Sequence, residues 1–434
     1  MYKKELVIDK SYLIIPAICI GFWALYSMYI LIPARFMWDY YVVYHAGLQA
    51  YTDPSNLYDV PTFLYMPNFA ILFAVILTIF PYSIAYYILL LYNYIWGVLS
   101  NREFNKILIL IDVRKKIHRF IFLMIISNGF FVYVQFYLNQ TKYLLFLILL
   151  FIIRRELQFN KEQKEKNLQY YLLNYNLFIL AIGIAPQCIF YFFIYIFYDI
   201  PYNEIFKKIN LKKYGLIGIF SAIQNIFFIL FPHLIFDFLK GFQYLPSAAK
   251  QNKIQLLYLR DWVNISSSFA RTLNIISLFV LLGITFSLII NNKLQIQDKF
   301  GYFSIAFILI GVQFFQMAIS LIFYSLVTLM FAPHISQEKS GLEFIKKNKI
   351  LLLGLCSILI ISFLPHEFII YRSIIQKPDS KDSILVMIDN LRWIIFICLM
   401  ITSLILLKLN INKSKIYSIF SNSLVKSNNK DLEL

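Results

Sequence analysis

The sequence has 434 residues, of which 60% are apolar and 15% charged, and its mean hydropathy is +0.68. Soluble globular domains average about 45–50% apolar and about 25% charged residues, so this composition excludes an ordinary soluble protein. The 40 lysines and arginines outnumber the 23 aspartates and glutamates, giving a net charge of +17. Because the basic residues lie in short clusters between apolar stretches, they indicate the cytoplasmic loops of a membrane protein and no nucleic-acid partner.

Uncharged stretches long enough to cross a membrane recur along the chain. A helix crosses the hydrocarbon layer with roughly 20 apolar residues, and lipid offers no partner for unpaired backbone groups. We therefore predict one all-α integral membrane domain over residues 1–434, a polytopic bundle of about twelve transmembrane helices. The stretches that indicate it are 11–33, 66–99, 167–198, 272–292 and 300–333.

The basic clusters predict which connections face the cytoplasm. The basic connections are 101–119, 154–166, 204–213, 291–299 and 338–349, together with the tail 409–434. With these inside, residues 34–64 become a first outer loop, residues 139–142 a short outer turn, and residues 234–271 a second large outer loop. The stretches 167–198 and 300–333 then form hairpins that turn on the outer side.

The stretch 66–99 leaves one conflict open. It is long enough for two helices broken at Pro81. Two full crossings would place residues 102–119 outside, against the positive-inside rule. One of the two helices is then tilted or incomplete.

The centres of the predicted helices carry essentially no charge, and this argues against a proton-coupled pump or an ion carrier. No internal repeat of the kind found in inverted-repeat transporters is evident. The four cysteines lie inside apolar stretches without metal-ligand spacing, so we expect packing residues and neither a metal nor a cofactor. Attention therefore turns to the outer loops.

Asp39 follows the first predicted helix within a few residues and is flanked by Trp38, Tyr40 and Tyr41. Aromatic residues are common at a membrane interface, so the tyrosines alone could form an interfacial belt. A carboxylate at this depth is less ordinary, since partial desolvation raises its proton affinity and suits it to act as a general base. The alternative is that Asp39 caps an amphipathic segment over residues 40–50.

Short motifs in and around the outer loops follow one another in a recognisable order. In the first loop they are Asp39, Tyr44 with Ala46-Gly47, Leu57-Tyr58-Asp59 and Tyr65-Met66-Pro67. Further on they are Asn139-Gln140-Thr141, Asn264-Ile265-Ser266 with Arg271, and the segment from Ser320 to Tyr324. Over residues 35–335 the chain resembles glycosyltransferase family 87, the polyprenyl-phosphate-mannose-dependent α-mannosyltransferases.

The resemblance implies a GT-C type membrane fold in the plasma membrane, with the active site facing outside. It implies transfer of a hexose, with mannose expected, from a polyprenyl-phosphate-sugar donor to a lipid-linked or glycan acceptor, among membrane lipids. Asp39 would be the catalytic base. The residues expected to bind donor or phosphate are Arg271, Asn264, Ser266 and Gln140, and those expected to line the site are Tyr44, His45, Tyr58, Tyr65 and Tyr324.

The chain departs from the family pattern at three places. Asn139-Gln140 stands where the family has Gly-Gln, Ala185-Pro186-Gln187 replaces a Lys-x-x-Pro element, and Phe323 replaces a histidine. These departures concern the sugar and the donor contacts more than the fold.

Two other classes stay open beside the enzyme. One is a lipid or oligosaccharide flippase or transporter without bond chemistry, which paired charges within the membrane would favour. The other is a structural or assembly protein of the membrane. The tripeptides at Asn264 and Asn139 also match the N-glycosylation pattern, and Arg271, expected just before a helix begins, could equally cap that helix.

Overall fold

The structure, a computed structural model, describes residues 11–31, 38–60, 63, 65–128, 132, 136, 139, 141–163, 166–199, 208–240, 267–291, 294–310 and 320–336. Every regular element in these ranges is helical, which confirms the predicted all-α class. The helices are α1 (Ser11–Leu31), α2 (Trp38–Thr52), α3 (Pro67–Leu77), α4 (Tyr82–Leu110), α5 (Lys116–Asn128), α6 (Lys142–Glu162), α7 (Leu168–Ile184), α8 (Ile189–Asp199), α9 (Lys208–Gln224), α10 (Ile226–Leu230), α11 (Ser267–Ile290), α12 (Ile296–Ile310) and α13 (Ser320–Ser336).

The helices α4 and α6 form the centre of the described bundle. They run parallel, because Tyr86 near the start of α4 meets the turn before α6, while Glu103 late in α4 meets Arg154 late in α6. The helices α1 and α5 pack beside α4, α7 beside α6, and α12 pairs with α13. A short 3₁₀ turn at Pro186–Cys188 separates α7 from α8, where the sequence predicts a hairpin turn.

One end of the bundle, here called the aromatic end, is formed by α2, α3 and the starts of α4 and α6. The Tyr40 hydroxyl donates a hydrogen bond to the Tyr82 carbonyl, so α2 is fixed to the start of α4. The backbone N–H of Met66 donates to the Gly183 carbonyl over 3.0 Å, which ties the segment before α3 to the end of α7. Residues from the predicted first outer loop and the predicted outer turn at 139–142 therefore share one end.

The opposite end, here called the basic end, holds the paired charges. Glu103 forms ion pairs with Arg154 at 2.5 Å and with Lys106 at 2.6 Å, and Glu156 forms one with Lys166. Residues from the predicted connections 101–119 and 154–166 thus meet here. Which side of a membrane each end faces stays a prediction.

The structure corrects the predicted extent of these two connections. The helix α4 continues to Leu110 and α6 to Glu162, so Glu103 and Glu156 are helical residues. Both are buried, and Glu156 is fully so. A buried carboxylate is tolerated when it is paired and hydrogen-bonded, and the ion pairs with Arg154 and Lys166 meet that condition. Both carboxylates lie in the last third of their helices, so they do not bear on the prediction that the helix centres carry essentially no charge.

The short helix α3 resolves the conflict over residues 66–99. A Cβ atom at Gly47 would overlap the Ala74 carbonyl, so the backbones of α2 and α3 are in close contact. The Tyr44 hydroxyl donates to the Phe80 carbonyl over 3.0 Å, beyond the end of α3. Both ends of α3 therefore lie at the aromatic end, and the incomplete helix is the alternative observed. Among the described helices, α4 is long and apolar enough to cross a membrane.

Candidate functional site

Two tyrosines one helical turn apart hold α2 in place at the aromatic end. Tyr40 and Tyr44 lie on the same face of α2 because residues four apart are neighbours on a helix. Tyr40 is fully buried, and its ring centroid lies 4.8 Å from that of Tyr82 and 5.1 Å from that of Tyr86. Tyr44 lies 5.0 Å from Tyr82 in an edge-to-face arrangement. Such ring pairs and the two hydroxyl bonds give α2 a defined position.

Asp39 is the second residue of α2, and its side chain lies outside the described part of the chain. The helix begins at Trp38, so Asp39 stands in the first turn and not ahead of the helix. A carboxylate in the first turn of a helix is stabilised by the helix dipole. Its backbone position beside Tyr40 places Asp39 at the aromatic end.

His45 belongs to the same aromatic cluster. Its ring centroid lies 4.0 Å from that of Tyr41 and 6.0 Å from that of Tyr82. Partial burial lowers the pKa of His45, so its imidazole is neutral at neutral pH and can donate one hydrogen bond and accept another. The predicted site residues Tyr44 and His45 are thus brought together.

Described residues from the later part of the predicted first loop form a second cluster. The Tyr58 hydroxyl donates to the Tyr65 carbonyl over 3.0 Å, and the Tyr58 ring packs 5.6 Å from Phe63 and 5.7 Å from Phe238. Burial raises the pKa of Tyr58 well above its usual range. Tyr58 therefore serves packing in this structure, and both Tyr58 and Tyr65 are half-buried.

A turn built on Asp53 joins this cluster to the region after α10. The Asp53 carboxylate accepts hydrogen bonds from Asn56 at 2.8 Å and Ser55 at 2.7 Å, and these bonds lower its pKa. The Ser55 carbonyl in turn lies 2.7 Å from Nε2 of His233. The predicted first outer loop thus contacts the chain immediately before the predicted second outer loop.

The turn before α6 has a left-handed backbone at Asn139. Asn139 has a φ angle of 47°, in the left-handed region that glycine and asparagine occupy most readily. Its side chain also donates to the Tyr86 carbonyl over 3.1 Å and accepts from Asn93 over 2.9 Å. Asparagine therefore suits this backbone geometry and adds two buried hydrogen bonds.

Lys142 is a site residue that the sequence analysis did not predict. It is the first residue of α6, is only 5% exposed, and places its Nζ 5.1 Å from the centroid of the Tyr65 ring. The available signal was a lysine standing between a polar turn and a long apolar stretch. The burial of this cation depends on a ring from a distant segment, which the local pattern around Lys142 does not indicate.

The remaining predicted residues are not brought to the cluster by described contacts. Arg271 is the fifth residue of α11, which begins at Ser267, so it stands inside the helix and not before it. Tyr324 lies in α13. The side chains of Arg271 and Tyr324, and the whole of Gln140, Asn264 and Ser266, lie outside the described residues.

Within the described ranges no group of three histidine, cysteine, aspartate or glutamate residues is placed to hold a metal ion. Comparison of the chain with protein-family models, with curated proteins and with solved structures returns no match. The residues at the aromatic end supply four kinds of chemical group. These are a carboxylate in the first turn of α2, a neutral imidazole, tyrosine rings and a buried ammonium group.

Proposed function

We propose that the protein is a polytopic membrane glycosyltransferase of the GT-C type. It transfers a hexose, with mannose the expected sugar, from a polyprenyl-phosphate-linked donor to a glycolipid or glycan acceptor on the outer face. The observation that carries the proposal is the hydrogen bond from Tyr40, the residue next to Asp39 on α2, to Tyr82 at the start of α4, with the His45 ring beside Tyr82.

Exposed apolar faces support the membrane part of the proposal. On α4 the residues Ile84, Leu91 and Ile95 are exposed at helical spacing. On α1 and α11 large residues such as Phe22 and Phe279 are more than half exposed. Water-soluble monomers rarely expose contiguous apolar patches larger than a few hundred Å². Faces of this kind suit contact with lipid, while the buried Glu103 of α4 and Glu156 of α6 are ion-paired.

The proposed reaction needs a general base and a phosphate-binding group at the same depth in the membrane. The acceptor hydroxyl attacks C1 of the sugar, a new C1–O bond forms, and the bond from C1 to the phosphate oxygen breaks with inversion. Asp39 accepts the hydroxyl proton, and the polyprenyl phosphate leaves as an anion. Arg271 would pair with that phosphate through its planar guanidinium. A lipid tail holds the phosphate at the bilayer surface, which is the depth expected for the aromatic end.

A transporter is the second candidate, and one observation favours it. Buried ion pairs such as Glu103–Arg154 and Glu156–Lys166 are the feature that a transport pathway would use. They lie in the last third of α4 and α6, among the lysines and arginines of the basic end, and not at the helix centres. This position suits anchoring of the helix ends better than an ion path.

The test is sugar transfer by the purified full-length protein in proteoliposomes. Polyprenyl phosphates carrying labelled mannose or labelled glucose are supplied with a membrane glycolipid extract as acceptor. The proposal expects labelled sugar covalently attached to an acceptor lipid or glycan. Movement of the labelled lipid between leaflets without any transfer would favour the transporter instead.

A further inference from the structure

The start of α6 combines three kinds of hydrogen-bond donor in a buried place. Lys142 contributes an ammonium group that is almost removed from water. The first turn of any helix contributes backbone N–H groups without partners inside the helix. Thr141, the residue before α6, contributes a hydroxyl. Donors of this kind, together with the helix dipole, attract anions.

Thr141 provides the independent sign of a missing ligand. It occupies the N-cap position of α6, where a threonine hydroxyl ordinarily accepts a bond from an N–H of the first turn. In this structure it makes no such bond. The residue is fully buried, and its Oγ1 has no hydrogen-bond partner among the described residues. Leaving a buried hydroxyl unbonded is unfavourable, so a group that bonds it would be stabilised here.

We infer that Lys142, Thr141 and the first N–H groups of α6 form a binding site for a phosphate group. The inference rests on the proposed function in taking this phosphate to be the lipid-linked phosphate of the donor. Tyr65 is half-buried and covers Lys142 from the side of the predicted first loop. A charge-assisted bond to phosphate is stronger than the contact with a tyrosine ring, so a phosphate at this place would add to the contacts of the ammonium group.

A purely structural role for Lys142 would be to anchor the Tyr65 ring. The chain offers a matched control for that role in Lys299, in the first turn of α12. Lys299 is 1% exposed, and its Nζ lies 5.2 Å from the centroid of Tyr198. It thus repeats the burial and the ring contact of Lys142 without the unbonded threonine hydroxyl.

The experiment measures binding by native mass spectrometry of the purified full-length protein. The probes are a polyprenyl monophosphate, the corresponding polyprenol and inorganic phosphate. For Lys142→Met we expect the Kd for polyprenyl monophosphate to rise on the order of tenfold or more. Thr141→Val should raise it several-fold, while Lys299→Met should leave it unchanged. Polyprenol binding should not respond to any of the three. Competition by inorganic phosphate would show that the site takes phosphate without a lipid; its absence would show that the lipid tail is required.

Wild-type affinity in a folded Lys142→Met protein would overturn the site. So would an equal loss for polyprenol, because that result indicates a structural role. If Lys142→Met does not fold, Lys142→Arg and Thr141→Val are compared instead. The site is supported if Lys142→Arg keeps its affinity for polyprenyl monophosphate and Thr141→Val binds it more weakly. Wild-type affinity in Thr141→Val overturns the site. Variant-dependent phosphate binding without sugar transfer would instead defeat the proposed enzyme and leave the site standing.

Discussion

The two ends of the bundle are built from different chemistry. At the basic end the buried charges are matched: Glu103 meets Arg154, Glu156 meets Lys166, and the Tyr170 hydroxyl donates a further bond to Glu156 over 2.5 Å. At the aromatic end the contacts are mostly ring packing and single hydroxyl bonds to backbone carbonyls. There a threonine hydroxyl is left unbonded beside a buried lysine.

The difference separates residues that hold the helices together from residues that remain available to a ligand. A matched buried pair stabilises the position of its two helices and is costly to break. An incompletely satisfied buried polar group is costly to keep, and at a functional site the ligand supplies the missing bond. The ion pairs therefore make the basic end a structural lock. Buried oxygens without a bond in the described residues occur at both ends, at Ser100 and Asn105 as at Thr141, and the start of α6 is distinguished by the buried lysine next to Thr141.

The largest expected effect is on catalysis at the aromatic end. Asp39→Asn keeps the shape of the side chain but cannot accept a proton. Removal of a positioned base typically lowers the rate by 10²–10⁴-fold, so turnover in the proteoliposome assay should fall that far while the protein stays folded. Asp53→Asn is the matched control, because Asp53 lies in the same predicted loop and bonds only within its own turn in the contacts described above. Near-normal transfer by Asp39→Asn would remove the base assignment.

The next effect is on stability at the basic end. Glu156→Gln removes the negative charge that pairs with Lys166, at a position where Glu156 is fully buried. Breaking a buried pair on one side typically costs about 3–5 kcal/mol, measurable as a lower unfolding temperature. The control is Asp112→Asn, whose pair with Lys161 is 3.6 Å long and exposed, and which should cost only about 0–1 kcal/mol. Equal losses in the two variants would contradict the lock.

A smaller effect is expected at Arg271. Loss of a charge-assisted bond to phosphate costs roughly 1.5–3 kcal/mol, so Arg271→Ala should raise the donor KM or lower kcat accordingly. Arg271→Lys should recover part of the loss, because lysine keeps the positive charge but cannot bind the phosphate in a bidentate manner. Donor kinetics equal to wild type in Arg271→Ala would assign Arg271 to the anchoring of α11.

The smallest effect separates backbone strain from hydrogen bonding at Asn139. Asn139→Gly keeps the left-handed backbone and loses the bonds to Asn93 and Tyr86. Asn139→Ala loses the same bonds and also carries the steric cost of that backbone, roughly 1–2 kcal/mol. The alanine variant should therefore unfold at the lower temperature of the two. Equal unfolding temperatures would mean that the turn relaxes when the side chain is removed.

The sequence could predict what depends on local pattern. Apolar stretches predict helices, and the pair Ala185-Pro186 predicts the turn between α7 and α8. It could not predict that α4 and α6 run on through Glu103 and Glu156, because Arg154, which pairs with Glu103, comes from another helix and Lys166, which pairs with Glu156, lies beyond the end of α6. The burial of Lys142 was missed for the same reason, since the ring that covers it belongs to a distant segment.

The aromatic and basic ends should face opposite sides of a membrane, and labelling with a membrane-impermeant thiol reagent in intact cells tests this directly. Single cysteines are introduced by Tyr51→Cys, where the tyrosine is 76% exposed, and by Asp112→Cys, where the side chain is 67% exposed. Cys19, Cys188, Cys356 and Cys398 are first replaced by serine or alanine. The position at Tyr51 should label in intact cells, and the position at Asp112 only after permeabilisation. Labelling of both positions from the same side would contradict the arrangement of the two ends.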